Sequence, residues 1–330
     1  MNRPFSVIAS RVFSYLFSLW VIMTLNFLLP RLLPGDPLAA LLDPSSSDYV
    51  FDPQVRAALA AYYGLDRPLP EQYGRYLLGA LTGDLGRSIR LNRPVAELIA
   101  SHLPWTLLLV GTALLFSSIL ALLGGAEAAW RRGSRTDRTL VATSTLLANV
   151  PVYLTGMLLL LLFGARLKWL PMAGGRTPFA RYTTALDAAL DVGRHLVLPA
   201  LTLTLGMLGA KFLLVRNTTV TVLGEDFMLV ARAKGLPEGR LKWGHALRNA
   251  VLPFVAQMAA HAGMAVTGAV FIETLFNYPG MGRLIFESVT ARDYPVIQGV
   301  FLVVSAVVLT ANLLADLLNA RLDPRVQEAQ

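Results

Sequence analysis

Few groups in this sequence could do chemistry. The four histidines, His102, His195, His245 and His261, show no metal-ligand spacing such as H-E-x-x-H, and no cysteine is present to act as nucleophile, thiolate ligand or disulfide partner. No G-x-x-x-x-G-K-[ST] phosphate loop occurs, so no nucleotide site of its own is recognisable and no cofactor or metal is expected in the chain. No close carboxylate pair and no Ser and His arrangement stands out in the apolar segments, which argues against an intramembrane protease or lipid transferase. The most informative polar stretch is Glu225-Asp226-Phe227-Met228-Leu229-Val230-Ala231-Arg232-Ala233-Lys234-Gly235-Leu236-Pro237. Its chemistry is mechanical: a glycine suited to ending a helix in the left-handed conformation, a proline suited to the first turn of another, and cations around both.

These residues are carried by a strongly apolar framework. Of the 330 residues 55% are hydrophobic and only 15% charged, whereas soluble domains carry about 25% charged residues. A spanning helix needs about 20 mainly apolar residues. Six segments meet that need: Val12 to Leu29, Trp105 to Ala129, Leu140 to Phe163, Leu196 to Val215, Val251 to Phe271 and Pro295 to Leu318. A cleaved signal peptide is the alternative for the first, but its apolar core would be shorter and end in a small-residue site. The expected fold is an all-α integral membrane protein of six transmembrane helices, a single domain over residues 1–330. A small external subdomain, residues 31–103, lies between the first and second spans, and a cytoplasmic loop covers 217–250.

The formal net charge of +8 fits loops facing anionic lipid at the cytoplasmic surface. Nucleic acid is not an expected partner, because no basic run is interleaved with aromatics. With both termini cytoplasmic, the inside segments hold fifteen of the 29 Lys and Arg residues in a little over half the positions that the outside segments occupy. Arg131, Arg132, Arg135 and Arg138 weigh most in that choice. Residues 31–103 are too polar and too rich in Pro and Gly to span, but Val55 to Tyr63 and Val95 to Leu103 have helical spacing.

Within the 217–250 loop, Leu236, Trp243 and Leu247 fall on one helical face with the stem of Arg240, giving a short helix across the loop. Two readings stay open on spacing alone. One is a basic helix resting on lipid headgroups; the other is a helix that seats in a groove on another protein and passes its motion to the bundle.

Ala231-Arg232-Ala233-Lys234-Gly235-Leu236, followed by His245-Ala246-Leu247-Arg248-Asn249-Ala250-Val251-Leu252-Pro253, resembles the signature cytoplasmic loop of ABC importer permeases, in their dipeptide, oligopeptide and nickel branch. The match lies at Ala231, Gly235 and Leu252-Pro253. Leu229 and Val230 stand where the generic motif has Glu and Ala, and the Gly-to-Pro spacing is the longer one of the peptide branch. Further matches follow in order: Leu33-Pro34-Gly35-Asp36-Pro37, Gly64-Leu65-Asp66-Arg67-Pro68-Leu69 and Gly83-Asp84-Leu85-Gly86-Arg87-Ser88 in the external region. Glu273-Thr274-Leu275-Phe276-Asn277-Tyr278-Pro279-Gly280-Met281-Gly282 and Arg292-Asp293-Tyr294-Pro295-Val296-Ile297-Gln298 precede the last span, and Leu322-Asp323-Pro324-Arg325 matches the ending. Taken singly, such turns serve any external loop.

The resemblance implies a coupling helix that docks on an ATP-binding subunit, with Ala231, Lys234, Gly235, Leu236, Arg240, Trp243, Arg248, Asn249 and Pro253 as the coupling set. It implies an external loop or gate at Asn277, Tyr278, Pro279, Gly280 and Gly282. The implied partners are a second homologous permease, two ATP-binding subunits holding ATP and Mg, and an extracytoplasmic solute-binding protein. The implied place is a bacterial or archaeal cytoplasmic membrane, with the chain a transport subunit rather than an enzyme. Peptides are the expected solute, with nickel complexes or oligosaccharides as alternatives and an ATP-independent transporter as a remote one.

Lys211, Glu273 and Asp316 lie near span ends, where reaching out to the interface is the expectation. His261, inside the fifth span, is expected to be packed or hydrogen-bonded rather than to line a solute path. Asn149-Val150-Pro151 and Pro199 are candidate breaks in the third and fourth spans.

Overall fold

The computed structural model describes residues 3–32 and 53–322. The motif Leu33 to Pro37 and the ending Asp323 to Arg325 lie outside the described residues, and the side chains of His261 and Asp316 outside those described. Eleven α-helices account for most of what is described: α1 (Arg3–Leu32), α2 (Pro53–Tyr62), α3 (Leu69–Thr82), α4 (Val95–Trp130), α5 (Arg135–Asn149), α6 (Val152–Leu159), α7 (Ala185–Leu223), α8 (Asp226–Ala233), α9 (Arg248–Leu275), α10 (Met281–Thr290) and α11 (Tyr294–Leu322). Two segments, Leu160–Arg166 and Arg240–Leu247, are wound as π-helix. Among the described residues the only extended pairing is an isolated bridge between Arg87 and Pro94.

Three helices are long and apolar enough to cross a membrane, Val95–Trp130, Ala185–Leu223 and Tyr294–Leu314; a fourth span results if the bent pair Arg135–Asn149 and Val152–Arg166 counts as one. The remaining two apolar segments of the sequence lie on α1 and α9, whose described apolar runs are the shorter Phe13–Leu28 and Ala265–Leu275.

Local sequence explains several helix ends. Ser134 caps α5 by accepting from the Asp137 N–H at 3.2 Å, and Thr184 forms a reciprocal capping box with Asp187 at the start of α7. Gly83 closes α3 at φ +79°. Between α5 and α6 the axis turns by 101°. The cause is Pro151, which holds Val150 extended at φ −79°, ψ 125°. Pro199 has no such effect, since α7 runs through it unbroken. Pro104 likewise leaves α4 continuous from Val95, so the helical spacing at Val95 to Leu103 belongs to the same helix as the second apolar segment rather than to a separate short one.

The chain divides into two compact units, Met1–Trp105 with Pro279–Thr310 and Thr106–Tyr278 with Ala311–Gln330. In the first, α3 packs on α1 through Phe27 against Tyr73 and Tyr76, and Arg31 donates to Gln72 at 2.7 Å. Asp293, almost fully buried, accepts from the Ser88 hydroxyl and from the N–H groups of Ile89 and Arg90, each at 3.1 Å. One carboxylate thereby holds the turn that precedes α4.

The second unit is built on α4 from Thr106 onward with α5, α6, α7 and α9, and Ala121, Ala128, Phe212, Val215 and Phe254 form one apolar cluster in it. Backbones approach closely: a Cβ added to Gly209 of α7 would lie 2.7 Å from the Ala148 N of α5. Small residues at such crossings let helices associate where lipid offers no hydrophobic driving force.

Lys211 and Glu273 depart from expectation, because both are fully buried instead of reaching the interface. Lys211 Nζ donates to Ser117 Oγ at 2.8 Å and Ser118 Oγ at 3.1 Å, and Thr106 Oγ1 donates to Glu273 at 2.6 Å. Hydroxyls on α4 supply inside the protein the partners that water would supply outside.

Candidate functional site

The loop between α7 and α9 folds into a closed knot. Gly224 ends α7 and Glu225 opens α8, accepting from the Met228 N–H at 3.0 Å. One face of α8 carries Met228 and Ala231, both buried; Phe227, Leu229 and Val230 face outward. After Ala233 the chain reverses at Gly235, whose φ of +72° belongs to the left-handed region, and Leu236 N–H returns to Ala231 O at 3.4 Å. A Cβ at Gly235 would meet nothing within 4 Å, so backbone conformation alone demands glycine here.

Pro237 then starts the second arm, its carbonyl accepting from Arg240 N–H at 2.9 Å and Leu241 N–H at 3.1 Å. The arm is wound as π-helix, which moves its buried face. Leu241 and Ala246 point inward and meet Met228 and Ala231, with Trp130, Val222, Leu223 and Leu236 packed around them. The expected face of Leu236, Trp243 and Leu247 with the Arg240 stem does not form as such. Leu236 and Leu247 are half-buried, while Arg240 is exposed and Trp243 keeps 42% of its surface in the open.

Lys242, which belongs to no motif and no helical face of the loop, is buried and forms an ion pair with Glu127 near the end of α4. Its ammonium also lies 4.4 Å from the ring centre of Trp243. Arg131 pairs with the same Glu127. Nearby, Arg216 grips Asp137 with two parallel hydrogen bonds of 2.9 and 2.8 Å, and the Gly133 N–H donates to the same carboxylate at 2.9 Å. Three helices, α4, α5 and α7, are thus tied to one another or to the loop by charge. The only advance signal was that Glu127 and Asp137 are acids beside a basic cluster.

The other residues of the expected coupling set occupy the outer side. Lys234 is exposed, as are Arg248 and Asn249, whose amide donates to His245 O at 2.8 Å. Pro253 lies inside α9 one turn on. Loop and helix therefore place the residues of the expected coupling set at one end of α9. Asn277 and Tyr278 follow the other end, about 40 Å away at 1.5 Å rise per residue. There Asn277 adopts φ +50°, and the buried Tyr278 donates its N–H to Glu273 O at 2.8 Å. Pro279, Gly280 and Gly282 belong to the first compact unit, where the Gly280 carbonyl accepts from the Leu284 N–H at 3.1 Å in the first turn of α10.

Among the described residues the chain is mostly helical, with three or four segments long and apolar enough to cross a membrane, and the comparisons with known proteins give its family. Residues 113–328 match the family described as binding-protein-dependent transport system inner membrane component. The chain belongs to this family of multi-pass membrane permeases. It is 40% identical over 304 residues to a Brucella ovis chain described as a peptide permease protein, covering 92% of this chain and 93% of the other. It is also similar to the di/tripeptide transport system permease protein DppB of Pseudomonas aeruginosa, 34% identical over 98% of each chain. The glutathione transport system permease protein GsiC of Salmonella paratyphi A is 36% identical over 97% of this chain and 98% of its own.

Proposed function

We propose that this chain is one of two membrane-spanning subunits of an ATP-driven importer of short peptides. The observation that carries the reading is the loop knot, whose inner face is locked to α4 through Lys242 and Glu127 while Arg240 and Trp243 remain outside. A part fixed to the bundle on one side and open on the other is what force transmission from a partner requires.

In this reading all six apolar segments span, both termini and the 217–250 loop are cytoplasmic, and residues 31–103 are external. Two ATP-binding subunits, holding ATP and Mg, close on one another and move the coupling set Ala231, Lys234, Gly235, Leu236, Arg240, Trp243, Arg248, Asn249 and Pro253. The α9 helix carries that displacement to the external gate at Asn277, Tyr278, Pro279, Gly280 and Gly282, and the cavity turns from inside to outside. A second homologous permease completes the path, and an extracytoplasmic binding protein delivers the solute. The names of the relatives support peptides as that solute; nickel complexes and oligosaccharides are the alternatives within the same role.

The test is purification of the chain from its native membrane in mild detergent, with identification of what accompanies it, followed by transport in vesicles. The expected result is a second permease, one or two ATPases, and peptide uptake that needs ATP and a binding protein. A lone chain that moves solute without ATP would overturn the reading.

A further inference from the structure

The first compact unit holds a cavity of about 550 Å³ among residues of α1, α2, α3 and α11. That is within the size range of small-molecule sites, and its wall carries polar groups that the protein itself does not satisfy.

Arg31, half-buried at the end of α1, is the first of them. Its guanidinium lies 3.6 Å from the centre of the Phe27 ring and donates to Phe27 O and to Gln72 Oε1, each at 2.7 Å. Among the described residues it enters no ion pair, whereas Arg75, the other cation on the wall, shares Glu71 with Arg67. The only acid among the described lining residues is Asp84, whose carboxylate accepts from the Gly86 N–H at 3.1 Å. A shielded guanidinium with donors to spare and no acid of its own favours an anion beside it.

Gln298 of α11 is the second. Its Nε2 is buried and, among the described residues, makes no hydrogen bond. A donor left so inside a protein costs free energy until an acceptor reaches it. Tyr294 stands one turn before it on the same helical face, and Tyr294 and Tyr76 add two aromatic rings to the wall. Together these groups call for a singly charged oxygen anion joined to a carbonyl and to an apolar or aromatic body. A peptide end has all three: a carboxylate that one guanidinium can hold by two parallel bonds, an amide oxygen beside it, and a side chain. A lipid phosphate shares the anion but brings no amide carbonyl for Gln298.

We infer that this cavity binds the terminal carboxylate of a short peptide, with Arg31 holding the carboxylate, Gln298 donating to a peptide carbonyl, and Tyr76 and Tyr294 covering a side chain. The inference rests on the importer reading for the identity of the ligand, and adds a peptide site built by residues of the first unit alone.

The test uses the complete transporter in phosphatidylcholine nanodiscs, without its binding protein, and radiolabelled alanyl-phenylalanine as the probe. Saturable binding is expected, and the C-terminal amide of the same dipeptide is expected to bind about tenfold more weakly or worse. Arg31→Gln is expected to lower affinity for the dipeptide by a similar factor. Gln298→Leu is expected to lower it as well while leaving the melting temperature unchanged or raised, since it removes a buried donor that has no partner in the protein. A merely structural role for Gln298 would lower the melting temperature and leave affinity alone. Equal binding of dipeptide and amide, wild-type affinity in both variants, or displacement of the dipeptide by phosphatidylglycerol would overturn the site. If wild-type vesicles supplied with ATP and binding protein take up the dipeptide but none binds in the nanodiscs, the site alone fails. If they take up none, the importer reading fails instead.

Discussion

Lys242 of the loop between α8 and α9 and Glu127 of α4 are 115 residues apart in sequence and form an ion pair that fastens the loop to α4. Lys242 is largely shielded and Glu127 half-buried, so loss of one partner strands the other in a poor solvent. Glu127→Gln is expected to reduce stability by about 1–3 kcal/mol and to lower peptide transported per ATP hydrolysed. Reversing both charges, Glu127→Lys with Lys242→Glu, is expected to recover part of each. Equal coupling ratios in wild type and Glu127→Gln vesicles would show that the pair carries no force.

Gly235 tests the loop from the other side. Because the space around it is empty and only its φ is special, Gly235→Leu costs about 1–2 kcal/mol of backbone strain without a clash. Uptake is expected to be lost while membrane levels stay normal, and Gly235→Asn to retain more function than Gly235→Leu. Quantitative immunoblots alongside uptake separate the two effects.

Lys211 gives a prediction of opposite sign for two neighbouring changes. Lys211→Met removes a buried charge at similar volume, and is expected to leave thermal stability in detergent unchanged or raised. Ser117→Ala takes one of the acceptors from the ammonium, and is expected to cost about 1–3 kcal/mol. If both variants melt earlier by the same amount, the amine itself is a stabilising element.

Asp191, in the first turns of α7, sets a pH dependence, because its carboxylate accepts from the Thr177 N–H at 2.7 Å, the Thr177 hydroxyl at 2.6 Å and the Tyr182 hydroxyl at 2.7 Å. Its folded carboxyl is held at about 2, below the ordinary 3.8. A depressed carboxyl contributes stability that is whole above the unfolded value and fades as pH falls through the folded one. Protection of the Thr177 amide from hydrogen exchange is therefore expected to be constant from neutral pH to about 4 and to decline below it. Asp191→Ala, which leaves no acceptor for the Thr177 N–H, is expected to remove the protection at every pH.

Part of this architecture is legible without coordinates, and the dividing line is sequence distance. The breaks at Gly235 and Pro151 follow from the conformations those residues permit, so local chemistry announces them. The face of the loop helix did not follow, because counting at 3.6 residues per turn assigns Trp243 inward while the π-wound turn buries Leu241 and Ala246 instead. Lys211 and Glu273 looked like interface residues because each lies near the end of an apolar run. Their real partners, Ser117 and Thr106, stand 94 and 167 residues away on another helix, and no periodicity reports that. The loop motif around Gly235 is visible in the sequence, whereas the fastening of its second arm to Glu127 through Lys242 is not.

The bond between Ser88 and Asp293 has a consequence in time. The two residues are 205 positions apart, so at a synthesis rate of about 5–20 residues per second the Ser88 turn waits roughly 10–40 s for the carboxylate that fixes it. During that interval the segment before α4 is already made but unfastened. The growing chain thus carries, until residue 293 is made, a loose segment at a place that three hydrogen bonds to one carboxylate tie down in the finished protein.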